Sequence, residues 1–133
     1  MTIKCTYSVK RHNKVLAHSR AKPEWLAMLD LCWKQATDLG YTHRLYVVFQ
    51  TGASYMSRRQ YGYFQECGAF DGDLMVIYTY HYPYNTVIGT IAHEFGHALH
   101  CTTIPCGNLW TDEEAEAYAE EFRRKMVRKY ASE

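Results

Sequence analysis

The stretch TIAHEFGHALH, residues 90–100, sets His93 and His97 four positions apart around Glu94, in a segment with no Lys, Arg or Asp. On a helix, positions four apart differ by about 40° in azimuth and about 6 Å in rise, so both imidazoles leave one face and can converge on one ion. Glu94 points about 80° off the line between them. It can reach a water at that ion without being a ligand, which is where a general base belongs. Two histidines do not close a site, however. A catalytic zinc takes three protein ligands, often with a carboxylate as the third, and keeps a fourth position open.

The acidic run TDEEAEAYAEE at 111–121 offers that carboxylate. Glu116 is the expected third ligand. It follows His97 after 18 intervening residues, stands one turn before Glu120, and flanks the apolar stripe of Ala115, Tyr118, Ala119, Phe122 and Met126. Asp112, Glu113, Glu114 and Glu120 are alternatives, because acids in a first helical turn also simply favour the helix dipole. Glu114 is expected to be engaged as the capping-box partner of Thr111. Glu120 is expected to hydrogen-bond the free ring nitrogen of His93 or His97, which would set tautomer and orientation. His100 shares their azimuth but lies a further turn along, and is expected to cap the helix end or to stand behind the ligands. Gly96 costs roughly 0.5–1 kcal/mol against alanine in mid-helix. It is acceptable where another backbone passes close by.

HExxH followed by a glutamate on the next helix resembles the gluzincin metallopeptidases, and the spacing His97-x18-Glu116 is similar to theirs. Within that group, HEFGHALH followed by EAYAEEF at 116–122 resembles the ImmA/IrrE type, whose pattern is approximately HELGHxLLH and then ExxANxFA. Glu116, Ala119 and Phe122 take the ligand, small and aromatic positions. Glu120 stands where that pattern has Asn, Arg123 where it has Ala, and His100 one residue before its trailing His. The resemblance covers roughly the last fifty residues, and the first eighty match only in element order. It implies a zinc-dependent peptidase acting on a protein or peptide, with Glu94 as general base and Zn2+ held by His93, His97 and Glu116. A regulatory domain that keeps zinc without catalysis, and a nucleic-acid-associated protease, are the alternatives.

Positioning these residues requires an α+β, zincin-like domain: a sheet of three to five antiparallel or mixed strands, an N-terminal helix, the HExxH helix and a C-terminal third-ligand helix. Residues 3–9 alternate Ile3, Cys5, Tyr7 and Val9 with polar residues, the period of a half-buried strand. PEWLAMLDLCWKQATDLG reads as a helix with Pro23 in its first turn and Gly40 past its end. HRLYVVFQ, QYGYFQECG and DLMVIYTYH read as two to three antiparallel strands. The HExxH helix is expected to begin after Asn85 as N-cap and to end near Cys101, and the last to run from Thr111 almost to Tyr130. In the loop YTYHYPYN, Tyr80, His81 and Tyr82 are candidate donors to an oxyanion.

Composition narrows the partners. The 133 residues suit one domain over 1–133, and a net charge of +1 exerts no general pull on nucleic acid or membrane. Lys4, Lys10, Arg11, Lys14, Arg20 and Lys22 form an acid-free basic segment, read as a solvated face; nucleic acid is not an expected partner. Cys5, Cys32, Cys67, Cys101 and Cys106 contain no CxxC pair, so reduced thiols are expected, and a second metal site from Cys101 and Cys106 with Cys67 or His100 is not supported. The N-terminus lacks a secretory apolar core and no stretch approaches a membrane span, so a cytoplasmic protein is expected.

Overall fold

The computed structural model describes residues 5–53, 61–66, 72–80, 82–103 and 111–132. In chain order they form β1 (Cys5–Arg11), β2 (Lys14–Leu16), a 3-10 turn (His18–Arg20), α1 (Pro23–Asp38), β3 (Leu45–Gln50), β4 (Gly62–Glu66), β5 (Asp73–Tyr78), α2 (Tyr84–Thr103) and α3 (Asp112–Ala131). The architecture is α+β, a five-stranded mixed sheet ordered β2-β1-β3-β5-β4 with three α-helices.

The expectation of an antiparallel set is corrected at the centre of the sheet. Strand β3 pairs parallel with both β1 and β5, for instance Val47 with Tyr7 and with Met75, and only the outer pairs β1–β2 and β4–β5 are antiparallel. The crossover through α1 returns the chain to the same end of the sheet, which a parallel partner requires. Burial agrees with this: Asp73, Met75, Val76, Ile77 and Tyr78 of β5 are all buried, the near-continuous pattern of a central strand covered on both sides. In β3 the alternation survives, with Leu45, Val47 and Phe49 in the core and Tyr46 exposed.

Strand β2 falls in the segment read as a solvated basic face. It joins β1 through a two-residue turn at His12 and Asn13, and His12 takes a positive φ of 55° where glycine would announce the turn. Helix α1 has Pro23 at its start, and Gly40, at φ 103°, turns the chain so that the Tyr41 amide donates to the Ala36 carbonyl. Trp25 of α1 stacks on Phe49 of β3 at 5.1 Å, tying this helix to the sheet.

Helix α2 begins two residues earlier than expected, at Tyr84. The carbonyl of Pro83 accepts from the amides of Thr86 and Val87, so Asn85 sits inside the first turn rather than at the cap. At its other end the helix runs to Thr103, past Cys101, because the hydroxyls of Thr102 and Thr103 donate to the carbonyls of Ala98 and Leu99 and satisfy the last turn. Twelve of its residues are buried, since α2 packs on α1, on α3 and on strands β4 and β5 at once. Thr111 caps α3 by accepting from the Glu114 amide at 3.1 Å. Among the described residues, no helix is long and apolar enough to cross a membrane.

Candidate metal centre

The site forms where α2 and α3 touch, and that contact depends on small residues. A Cβ placed on Gly96 would lie 2.5 Å from the Ala119 Cα and 3.0 Å from its carbonyl oxygen, so the α3 backbone occupies the space a side chain would need. This close approach carries the face of α3 that bears Glu116 and Glu120 to the face of α2 that bears His93 and His97.

Three side chains converge there. The Nε2 atoms of His93 and His97 are 3.2 Å apart. One oxygen of Glu116 lies 3.1 Å from the Nε2 of His93 and the other 2.8 Å from the Nε2 of His97. One potential ligand atom from each lies within 4.8 Å of the other two, and among the described residues no other cluster of His, Cys, Asp or Glu could hold a metal ion. On the far side of His93, Nδ1 is 3.2 Å from Oε2 of Glu120, whose Oε1 accepts from Nε of Arg123 at 2.5 Å and is ion-paired to its Nη2. Asp112, Glu113 and Glu114, the alternative ligands in the first turn of α3, are exposed and stand apart from this group.

No family profile, curated protein or solved structure matches the chain.

An open cleft of about 710 Å3 reaches the cluster, lined by Tyr61 and Gly62 of the β4 edge, by Thr86, Gly89, Thr90, His93 and Glu94 of α2, and by Glu116, Glu120 and Arg123 of α3. Glu94 is buried, and its carboxyl is pushed up to about 8, first by loss of hydration and second by the charge of Glu116. A cation held by Glu116 would offset that charge and favour the carboxylate. Burial also lowers the His97 pKa, which keeps the imidazole neutral and able to ligate, against the opposing pull of Glu116. The two-pronged bond from Arg123 holds Glu120 below the ordinary carboxylate range.

His100 lies in the last turn of α2, as expected, and is buried, with its ring 5.5 Å from that of Tyr118. Of the candidate oxyanion donors, Tyr80 is exposed, Tyr82 packs on Tyr61 at 4.9 Å, and His81 lies outside the described residues. Cys67 and Cys106 also lie outside them, while Cys101 is exposed at the end of α2. The sequence reading gave no role in the site to several cleft residues, Tyr61 and Arg123 among them, the latter noted only as a departure from the family pattern. Tyr61 carries no local signal of its place. Arg123 has one, its position three residues after Glu120 on a helix.

Proposed function

We propose that the protein is a zinc metallopeptidase that hydrolyses a peptide bond in a protein or peptide substrate. The observation that carries this reading is the convergence of His93, His97 and Glu116 on one point, with His93, Glu116 and Glu94 lining an open cleft. The donor set suits zinc: two imidazole nitrogens and a carboxylate. In a tetrahedral site with bonds of about 2.0–2.1 Å, neighbouring ligand atoms stand about 3.3 Å apart. The nitrogens here are 3.2 Å apart, and the carboxylate oxygens lie 2.8 and 3.1 Å from them.

Zinc, when bound, supplies a Lewis acid for the scissile carbonyl and lowers the pKa of a water toward neutrality. Glu94 is the proton carrier. Its carboxylate takes a proton from the attacking water and returns it to the nitrogen of the leaving amine. Glu94 is buried, which limits exchange of that proton with bulk water between the two transfers. His93, turned by Glu120, and neutral His97 present ring nitrogens, and Glu116 adds a negative charge to match the cation. Strand β4 is the edge of the described sheet, and its Gly62 lines the cleft. An edge strand offers unpaired backbone groups to an extended chain, which favours a peptide as substrate.

The test joins metal content to turnover. Protein purified without added metal should carry one zinc per chain by elemental analysis, and Glu116→Ala should lose it. Glu94→Gln should keep zinc and fold, serve as a trap for the cellular substrate, and cut the captured protein at least a hundredfold more slowly than wild type, the lower end for general-base assistance. Equal cleavage by both forms removes the general-base role. Full zinc with a captured partner that neither form cuts makes this a regulatory zinc domain.

A further inference from the structure

Helix α3 turns a polar stripe toward the site at Glu116, Glu120 and Arg123, positions i, i+4 and i+7, beside the buried stripe of Ala119, Phe122 and Met126. The first two members of the polar stripe touch histidines. The third does not, yet it lies in the same cleft and is half-buried rather than extended into solvent. It lies alongside α2: a Cβ on Gly89 would stand at ordinary contact distance, 3.7 Å, from Cδ and from Nη1 of Arg123, so the side chain runs beside the helix one turn before His93.

The two oxygens of Glu120 have divided duties. Oε2 faces Nδ1 of His93 at 3.2 Å, and Oε1 receives Nε of Arg123 at 2.5 Å together with its Nη2. A planar guanidinium that donates from two nitrogens to one oxygen restricts rotation of the whole carboxylate, which a lysine ammonium does not do. With Oε1 so occupied, the remaining oxygen is aimed at the imidazole. A neutral histidine that donates Nδ1–H to a carboxylate carries its lone pair on Nε2, the atom directed at the ligand cluster. A half-exposed glutamate lacking its arginine has several rotamers and water to satisfy it, and only a fraction of them reach His93.

We propose that Arg123 is a positioning residue for the metal centre, acting through Glu120 to set the tautomer and orientation of His93. The proposal rests on the reading of His93 as a metal ligand. Arg123 thereby extends the site by one residue beyond the carboxylate that touches the ligand, and it accounts for a cation in a cleft otherwise lined by three glutamates.

The test uses zinc itself, with dissociation constants measured by chelator competition, and nitrogen NMR of the His93 ring in metal-free protein near pH 8. Arg123→Ala should weaken zinc binding by about tenfold, within the range of about ten- to a hundredfold seen when groups behind a ligand are removed. Arg123→Lys should recover only part of the loss, since it keeps charge without the fork. In a Glu120→Ala background, Arg123→Ala should change affinity by less than about twofold, because its effect passes through that carboxylate. In metal-free protein the Nδ1–H tautomer of His93 should dominate in wild type and give way to a mixture in Arg123→Ala. Full additivity of the two substitutions, or an unchanged tautomer in Arg123→Ala, overturns the proposal. A wild type that binds no zinc fails the metal reading alone, and the tautomer measurement still decides the role of Arg123.

Discussion

The contact between α2 and α3 at Gly96 makes a prediction whose sign can be contrasted within the same helix. Alanine at position 96 places its Cβ 2.5 Å from the Ala119 Cα, 3.0 Å from the Ala119 oxygen and 3.1 Å from the Ala119 Cβ, against 3.4–4 Å for ordinary contact. The nearest atoms are backbone, so the strain is relieved only by moving one helix away from the other by about 1 Å. Overpacking of this kind costs about 1–3 kcal/mol. Replacing a mid-helix glycine recovers roughly 0.5–1 kcal/mol. The net expectation for Gly96→Ala is a loss of about 1–2 kcal/mol. Gly89, seven residues earlier, meets nothing closer than 3.7 Å, so Gly89→Ala should keep the propensity gain and be stabilised by about 0.5–1 kcal/mol. The two variants should therefore melt on opposite sides of wild type. At roughly 3–5 °C per kcal/mol for a chain of this size, they should differ by about 5–15 °C. Thermal and urea unfolding in the presence of a chelator isolates the effect from metal binding. Because Glu116 and Glu120 ride on α3, Gly96→Ala should also weaken zinc binding, whereas Gly89→Ala should leave it near wild type. A Gly96→Ala protein that melts at or above wild type would refute the packing of α3 on α2 at Ala119, and with it the geometry of the site.

Three further outcomes test other parts of the structure. Asp73 is fully buried and accepts from the Tyr41 hydroxyl at 2.5 Å, with His43 Nδ1 at 2.9 Å from the same oxygen, so Tyr41→Phe should cost about 1–3 kcal/mol in urea unfolding by leaving a buried carboxylate short of a donor. In a Cys67→Ser/Cys106→Ser background, iodoacetamide near neutral pH should modify exposed Cys101 well before Cys5, whose thiol burial pushes up to about 12, or Cys32, which burial raises further; peptide mass spectrometry reads the order. The Glu94 carboxyl rises from an ordinary 4.5 to about 8 on folding, so folded metal-free protein holds a proton that the unfolded chain releases between those values. Its contribution to stability is complete below about pH 4.5 and lost as pH rises to about 8; in chelator, the wild-type urea midpoint should fall across that window and that of Glu94→Gln should fall less.

Legibility in the sequence followed the range of the interactions. His93, Glu94 and His97 lie within one helical turn, and helical period alone places them, as it places Glu116 and Glu120 on one side of α3. Thr111 and Gly40 likewise announce helix ends through bonds to residues three to five positions away. What the period of two cannot state is strand direction, because HRLYVVFQ reads the same beside a parallel or an antiparallel neighbour. That choice was made by α1, which crosses between β2 and β3, and by the long route from β3 to β4 that leaves β5 to pair with β3. The short strand β2 was hidden by its cations and by a turn built on His12 rather than glycine. Tyr61 was hidden because the cleft joins a strand edge to two distant helices.

The candidate metal centre stands between these cases. Each half of it is local, and the step that unites them is not. A gap of 18 residues between His97 and Glu116 allows many arrangements of two helices. The residue that selects among them is Gly96, between the two histidines on the HExxH helix, where helix propensity argues against glycine. Paired with Ala119, three residues after Glu116, it lets the two backbones approach until imidazole and carboxylate meet. An arrangement with a larger residue at either position would hold the helices apart and leave two histidines and a row of acids with nothing in common.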